Sequence, residues 1–522
     1  MRNFEIPGRS PVFATNGLCA TSHPLAAQVA VEILQAGGNA VDAGIAAAVL
    51  LGICEPQSTG IGGDCFALVK PAGTEEIHAL NGSGRAPAGI DVQALREAGP
   101  TIPLTSPHAV TLPGAIAGFA ALSERFGRNG LAASLAPAIR YAEEGVPVAP
   151  RVARDWQAAE ATLQGAARQH YLIGGAVPEV GQIFRSPGQA EVLRRVAAEG
   201  PQAFYQGEVA EDMCAALAGA SHSLQDFASV SADWGSPLTG PYRSREIAEH
   251  PPNGQGTTAL LLAAILAEFD IAGMDPLGPE RSHIEAEAIK LAYDARNRLI
   301  ADPASMKDPR ALLRPGLAQE LAALIDPKRA MAQVTSVTEA VHRDTVYLCV
   351  VDRDGMALSL IYSIFHSFGS GLASPKFGIL MQNRGAGFTL EEGHPNEAGP
   401  GKRPMHTIIP GMMLQDGRVE MPFGVMGGQY QAAGHARFAS NMLDFGMDPQ
   451  EAIDFPRLFA EKGELQLEAP FPEATRAALA EMGHKVVPPP APIGGAQAIR
   501  ITPEGVLVGA SDPRKDGSAI GY

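Results

Sequence analysis

Two apolar runs, residues 345–351 and 356–363, flank the polar piece Asp352-Arg353-Asp354-Gly355. The first run is β-branched and aromatic, and Asp-Gly marks a turn, so the stretch predicts a β-hairpin of core strands. Nearer the start, residues 11–70 predict strand, helix and strand. Ala27, Val29, Ile33 and Leu34 give helical spacing over 24–36, and Gly37-Gly38 is a C-cap signal. Residues 41–51 predict a second, wholly apolar helix, and 65–69 a buried strand. From about 113 to 330 the pattern is mostly helical, clearest over 115–125, 190–198 and 282–299. After Asp344 it turns β-rich again, with strands expected at 417–424 and 465–467 and a closing hairpin over 497–502 and 506–510. Strands at both ends around a helical block predict an α+β or layered architecture. No internal repeat is visible.

Composition sets limits. The 522 residues allow a large core. Lys and Arg number 40 against 56 Asp and Glu, a net charge of −16, which argues against nucleic acid and anionic membrane as partners. The 58 Gly and 42 Pro are scattered and predict turns and tight packing, with no low-complexity linker. The apolar run 43–54 is interrupted by Gly and too short to span a bilayer. The first seven residues lack a charged segment followed by an apolar one, so the expected location is cytoplasmic. Cys19, Cys54, Cys65, Cys214 and Cys349 are odd in number and lack metal spacing, and are expected as free thiols. The 13 histidines form no HExxH-type pattern, so no metal and no cofactor are expected.

Candidate chemistry gathers where the hairpin begins, at Asp344-Thr345. A Thr opening a strand is also what β propensity alone favours. The sharper expectation is that the chain cuts itself between Asp344 and Thr345. Thr345 would then carry a hydroxyl nucleophile beside a free α-amine. Such an amine has a pKa of about 7.7–8.0 and accepts a proton near neutral pH, which a weak Thr nucleophile needs.

Further motifs lie in order along the chain. They are Gly37-Gly38-Asn39-Ala40-Val41-Asp42-Ala43, Glu55-Pro56-Gln57-Ser58-Thr59-Gly60-Ile61-Gly62-Gly63, and Val110-Thr111-Leu112-Pro113-Gly114-Ala115. Pro251-Pro252-Asn253-Gly254-Gln255-Gly256, Asn383-Arg384-Gly385, Gly401-Lys402-Arg403-Pro404, Met426-Gly427-Gly428 and Gly509-Ala510-Ser511-Asp512-Pro513-Arg514 follow. Each is weak alone; in this order and spacing the chain resembles the gamma-glutamyltransferase (gamma-glutamyltranspeptidase) family of N-terminal-nucleophile hydrolases over nearly its whole length. The resemblance implies a four-layer αββα sandwich with a helical lobe. It implies a large subunit, 1–344, and a small subunit, 345–522, cut from one precursor and sharing one fold. It implies Thr345 as nucleophile, Ser363 as the supporting hydroxyl where the family commonly has Thr, and Gly427 and Gly428 as donors to a developing oxyanion. Two glycines let backbone N–H groups approach such an oxygen closely. Asn383 matches a pocket-lining position.

Several positions depart from the family pattern. The large-subunit Arg that holds a glutamyl α-carboxylate is replaced by Ser83, with Arg85 two residues on. The two serines after Lys-Arg-Pro are His406 and Thr407, and the Asn beyond the supporting hydroxyl is Phe365. The acid that pairs the substrate's ammonium falls on Gly387. A buried ammonium without a carboxylate is strongly disfavoured, whereas Arg384 adds a fork suited to a carboxylate. Arg384 has the alternative reading of a structural ion pair. Residues 388–402 are also short where the family's transpeptidases carry a lid, which predicts an open site. The pattern is similar to the divergent branch with cephalosporin-acylase-like proteins and oxamate amidohydrolase. The expected activity is hydrolysis of a small-molecule amide whose acyl part bears a carboxylate, held by Arg384, His406, Thr407 and Arg85. Two other readings stand beside it: an ordinary glutathione hydrolase with relocated substrate contacts, and an uncleaved small-acid binding protein. A phosphate loop at Gly60-Ile61-Gly62-Gly63 has little support, because the Gly-Lys-Ser/Thr ending is missing.

Overall fold

The hairpin forms over Val346–Asp352 and Ala357–Ser363, with Val346 opposite Tyr362, in a computed structural model that describes residues 8–331 and 345–522. Asp344, half of the expected cleavage site, lies outside the described residues. Every residue of both strands is buried. Side chains alternate between the two faces of a strand, and here both faces are dry. Val346, Leu348 and Val350 pack with Leu358, Leu360 and Tyr362 against helices. Tyr347, Cys349, Val351, Ala357 and Ile361 face a second sheet. That explains why neither run alternates apolar with polar residues.

The hairpin is the centre of a seven-stranded antiparallel sheet. In spatial order its strands are Ser518–Gly521, Gly17–Thr21, Val346–Asp352, Ala357–Ser363, Asp64–Lys70, His78–Gly82 and Asp233–Gly235. A second seven-stranded sheet runs Val12–Ala14, Leu507–Ser511, Gly495–Ile501, Arg418–Met426, Gly411–Gln415, Arg245–Glu249, Leu238–Tyr242. Phe66, Leu68, Ala248, Met412, Met426 and Ile499 fill the space between them. Helices Pro24–Gln35 and Ala40–Cys54 cover the outer face of the first sheet. Helices Gly256–Ala267, Pro279–Leu299 and Gln431–Leu443 cover the second. The layers are therefore αββα, with the helices of 115–228 forming a lobe beside the first sheet.

Local signals account for the helices nearest the site. Ala40–Cys54 starts at a capping box: Asn39 accepts from the Asp42 N–H, and Asp42 accepts from the Asn39 N–H at 3.0 Å. It is apolar all round and buried along its whole length, as a helix enclosed on every side must be. The block from 113 to 330 is less uniformly helical than its pattern predicts. Leu238–Tyr242 and Arg245–Glu249 form an edge hairpin inside it. Both sheets take strands from either side of residue 345, and in each the two segments interleave.

Candidate active site

Thr345, Ser363 and Asp64 are cross-strand neighbours at one end of the first sheet. Asp64 lies opposite Ser363 in the register, and Thr345 Oγ1 is 3.3 Å from Ser363 Oγ. The alternation that sends Phe66 and Leu68, or Tyr347 and Ile361, between the sheets sends these three side chains the same way. All three are fully buried. Ser363 Oγ accepts from the Phe365 N–H at 2.9 Å and from Arg384 Nη2 at 3.5 Å. Either hydroxyl of the Thr345–Ser363 pair can be the donor.

Arg384 is the charged member of the group. Its Nη1 donates to Thr407 Oγ1 at 2.9 Å, and its guanidinium lies 4.0 Å over the Phe365 ring. The side chain is fully buried, Nε has no partner, and no carboxylate lies within ion-pair distance among the described residues. Burial pulls its pKa down to about 9, against the opposing pull of Asp64. The ion-pair reading of Arg384 therefore finds no direct partner.

Asp64 was not legible as a site residue. Its Oδ1 accepts from the N–H of Gly84 and of Gly114 at 2.8 and 3.3 Å and from Gln382 Nε2 at 2.9 Å. Its Oδ2 lies 3.1 Å from His406 Nε2. Ile408 N–H donates to His406 Nδ1 at 3.3 Å, so Nε2 carries the ring proton and donates to Asp64. Burial, with the charges of Arg384, His250 and Arg403, holds His406 well below its usual range and therefore neutral. Asp64 is pushed from 3.8 up to about 6 by burial, partly offset by Arg384 and the three donors on Oδ1. A carboxyl raised on folding holds a proton that the unfolded chain has released. Asp64 therefore takes nothing from stability below pH 3.8, and its cost grows to completion as pH rises through about 6.

A second network reaches the glycine pair. Gly427 and Gly428 have φ of +121° and +57°, and a Cβ on Gly427 would stand 2.7 Å from Gly494 Cα, so only glycine fits there. Among the described residues neither glycine N–H donates to a backbone acceptor. Gln255 Nε2 donates to the carbonyls of Thr407 and Gly428 at 2.7 and 3.1 Å. Arg296 holds Gln255 Oε1 and Gln429 Oε1 at 2.7 and 2.6 Å, and Tyr293 donates its hydroxyl to the Gln429 carbonyl. Thr345, Ser363, Arg384, Thr407, Gln255 and Gly428 thus form one run of contacts drawn from five separate stretches of chain.

The other expected residues sit further out. Asn383 donates to the Leu104 carbonyl and accepts from the His366 N–H, both at 3.1 Å, which fixes the loop after Ser363. Ser83 donates to Asn81 Oδ1 at 2.6 Å, one residue from the Gly84 N–H on Asp64. Arg85 is 44% exposed and reaches Asp302, Asp233 and the Gly401 carbonyl, and no contact links it to Arg384. Gly387 offers its carbonyl to Asn396 Nδ2 at 2.7 Å. Asp64, Gln255, Arg296 and Gln382 were missed because each is a lone polar residue whose partners are distant in sequence. The one local cue for Asp64 is an acid after Gly62-Gly63 opening an otherwise apolar strand.

Comparison with known proteins places the chain in a family. The family model described as gamma-glutamyltranspeptidase matches residues 26–522. A glutathione hydrolase-like YwrD proenzyme of Bacillus subtilis (strain 168) is 34% identical over 529 residues, covering 98% of this chain and 99% of that one. The oxamate amidohydrolase proenzyme of Klebsiella pneumoniae subsp. pneumoniae is 35% identical over 532 residues, with 98% and 99% covered. The crystal structure of cephalosporin acylase from Bacillus halodurans superimposes with a TM-score of 0.93 at 38% identity, covering 100% of this chain and 99% of that chain. With the family model matching almost the full length and relatives above 30% identity end to end, the chain belongs to the gamma-glutamyltranspeptidase family.

Proposed function

We propose that the protein is a self-processing amidohydrolase that hydrolyses amides of small, carboxylate-bearing acyl groups through an acyl ester on Thr345. Cleavage begins with attack of Thr345 Oγ1 on the preceding carbonyl, and water then releases residues 1–344 from the new terminus at 345. In turnover, the freed α-amine takes the Oγ1 proton, Oγ1 attacks the amide carbon, and the Ser363 hydroxyl steadies Oγ1 from 3.3 Å. The N–H groups of Gly427 and Gly428 meet the oxyanion. The amine leaves with the proton, and water, deprotonated by the α-amine, hydrolyses the ester. The acyl carboxylate pairs with Arg384 beside the Thr407 hydroxyl.

The observation that carries this reading is Arg384: a fully buried guanidinium, in contact with Ser363, with no carboxylate partner among the described residues. A buried cation without an anion is costly, and a substrate carboxylate would complete it. The converse holds for an ammonium. Among the described residues the carboxylate in the group is Asp64, which is taken by four donors, and Gly387 supplies none. Oxamate, named in one relative, is itself an amide with a carboxylate on its acyl carbon.

The test is a substrate panel on the processed protein. Monoamides of short dicarboxylic acids, oxamate included, are compared with a chromogenic γ-glutamyl anilide. An unpaired buried ammonium costs about 3 kcal/mol or more, so kcat/KM for the best monoamide is expected to exceed that for the anilide by about 100-fold. The reverse order would establish a glutathione hydrolase with relocated contacts.

The pH profile gives a separate check. The α-amine, titrating at about 7.7–8.0, makes log kcat/KM fall with unit slope on the acid side. Asp64 titrates near 6, and its protonation removes the anion that faces Arg384 and His406. The slope is expected to steepen to two below pH 6, and to stay at one in Asp64→Asn. A unit slope in the parent protein down to pH 5 would remove Asp64 from the mechanism.

A further inference from the structure

Away from this site, His283, Glu287 and His484 are all buried, and one donor atom from each lies within 4.8 Å of the others. His283 and Glu287 are four residues apart on the helix Pro279–Leu299, which places them on one face. His484 comes from the turn after the helix Glu473–Glu481. Local spacing gave no metal signal because the third residue is supplied from far along the chain.

The hydrogen bonds fix the protonation of the group. His283 Nε2 lies 2.7 Å from the Asp326 carbonyl, which only accepts, so Nε2 carries the proton and Nδ1 is bare. His484 Nε2, 2.8 Å away, must therefore donate to His283 Nδ1. A ring N–H anchored on a backbone carbonyl, with the opposite nitrogen turned into a cluster, is how metal-ligating histidines are oriented. Glu287 Oε1 is 3.9 Å from His484 Nε2 and 2.6 Å from Lys290 Nζ, and Oε2 accepts from the Met331 N–H at 2.8 Å.

We propose that His283 Nδ1, His484 Nε2 and Glu287 Oε1 form a divalent-cation site, with Zn2+ as the best match. Two nitrogens and a carboxylate oxygen suit that ion. Bond lengths of about 2.0–2.1 Å in a tetrahedron separate ligand atoms by about 3.3 Å. The histidine pair must open and the Glu287–His484 contact close, each by about half an ångström, and the His283–Glu287 pair, now within 4.8 Å, must close by up to about 1.5 Å to the tetrahedral spacing. The ion takes the place of the proton on His484 Nε2, which moves to Nδ1 through solvent, so the ring stays neutral. Lys290 Nζ is the competing cation on Glu287, and it must swing aside. Lys290 and His484 both line a cavity of about 210 Å³, which gives the lysine room and supplies a water as fourth ligand.

The site shares its helix with Tyr293 and Arg296, which hold the Gln429 turn. It stands independently of the proposed reaction, and its test does not use activity. Purified full-length protein is stripped with a chelator, equilibrated with buffered free Zn2+, and assayed for bound metal. One Zn2+ per chain is expected. Affinity should fall about 100-fold in His484→Asn and rise about tenfold in Lys290→Met, where the competitor is gone. Co2+ on the unaltered protein guards against misfolded variants: an intense tetrahedral visible absorption is expected, abolished by added Zn2+. No retained metal at micromolar free Zn2+, or equal binding by His484→Asn and the parent, would overturn the site.

Discussion

Thr345→Ala is expected to yield one intact chain of 522 residues, where the parent protein yields pieces of 344 and 178 residues (522 − 344 = 178). Amidase activity should fall by about four orders of magnitude or more, the scale seen when a catalytic nucleophile is removed. Both losses would have one cause, since in the proposed reaction Oγ1 attacks first within the chain and later on substrate. Thr345 has no exposed surface in the uncut chain, so activity should appear only as cleavage proceeds. Intact mass and terminal sequencing of parent and variant decide the matter. A parent protein that stays whole under native conditions has no N-terminal nucleophile, and the small-acid binding reading then takes precedence.

Arg384→Met separates recognition from stability in a way few substitutions do. Removing one partner from a buried charge–charge contact costs about 2–5 kcal/mol of binding. At about 1.4 kcal/mol per tenfold, kcat/KM on a monoamide is expected to fall by roughly 30- to 3000-fold. The fold should not suffer to match. Among the described residues the guanidinium has no ion pair, and an apolar side chain of similar volume removes its desolvation penalty, so the thermal midpoint is expected to hold or rise. Arg384 also helps keep Asp64 ionised, so the steep acid limb should move above pH 6 in the variant. A large fall in midpoint, with activity retained by the protein that stays folded, would make Arg384 a structural group.

The sequence makes the central hairpin plain because residues 345–363 meet several demands together. They are β-branched and aromatic, buried on both faces, and joined by a tight Asp-Gly turn. The edge strands Val12–Ala14 and Ser518–Gly521 are only three and four residues long, and pairing with a neighbour rather than composition makes them strands. The hairpin of 238–249 hides among helices for a similar reason. At the site, residues tied to a motif were legible: Thr345, Ser363, Arg384 and the glycine pair. Asp64 was not, because register alone brings it opposite Ser363. Arg85 was readable as a cation near the right motif, but its direction depends on Asp302 and Asp233, which no pattern around it reveals.

The alternation of the two chain segments within each sheet bears on how such a molecule has to be made. Neither 1–344 nor 345–522 contains a complete sheet; each sheet has inner strands from both. Synthesised from separate messages, each piece would display rows of unpaired peptide groups and aggregate before meeting its partner. One continuous polypeptide solves the assembly problem first, and the proposed break would come afterwards as maturation. The expected signature is a mature protein that does not dissociate on dilution, that melts in one transition with both pieces lost together, and that fails to refold from the separated pieces although the uncut Thr345→Ala chain refolds.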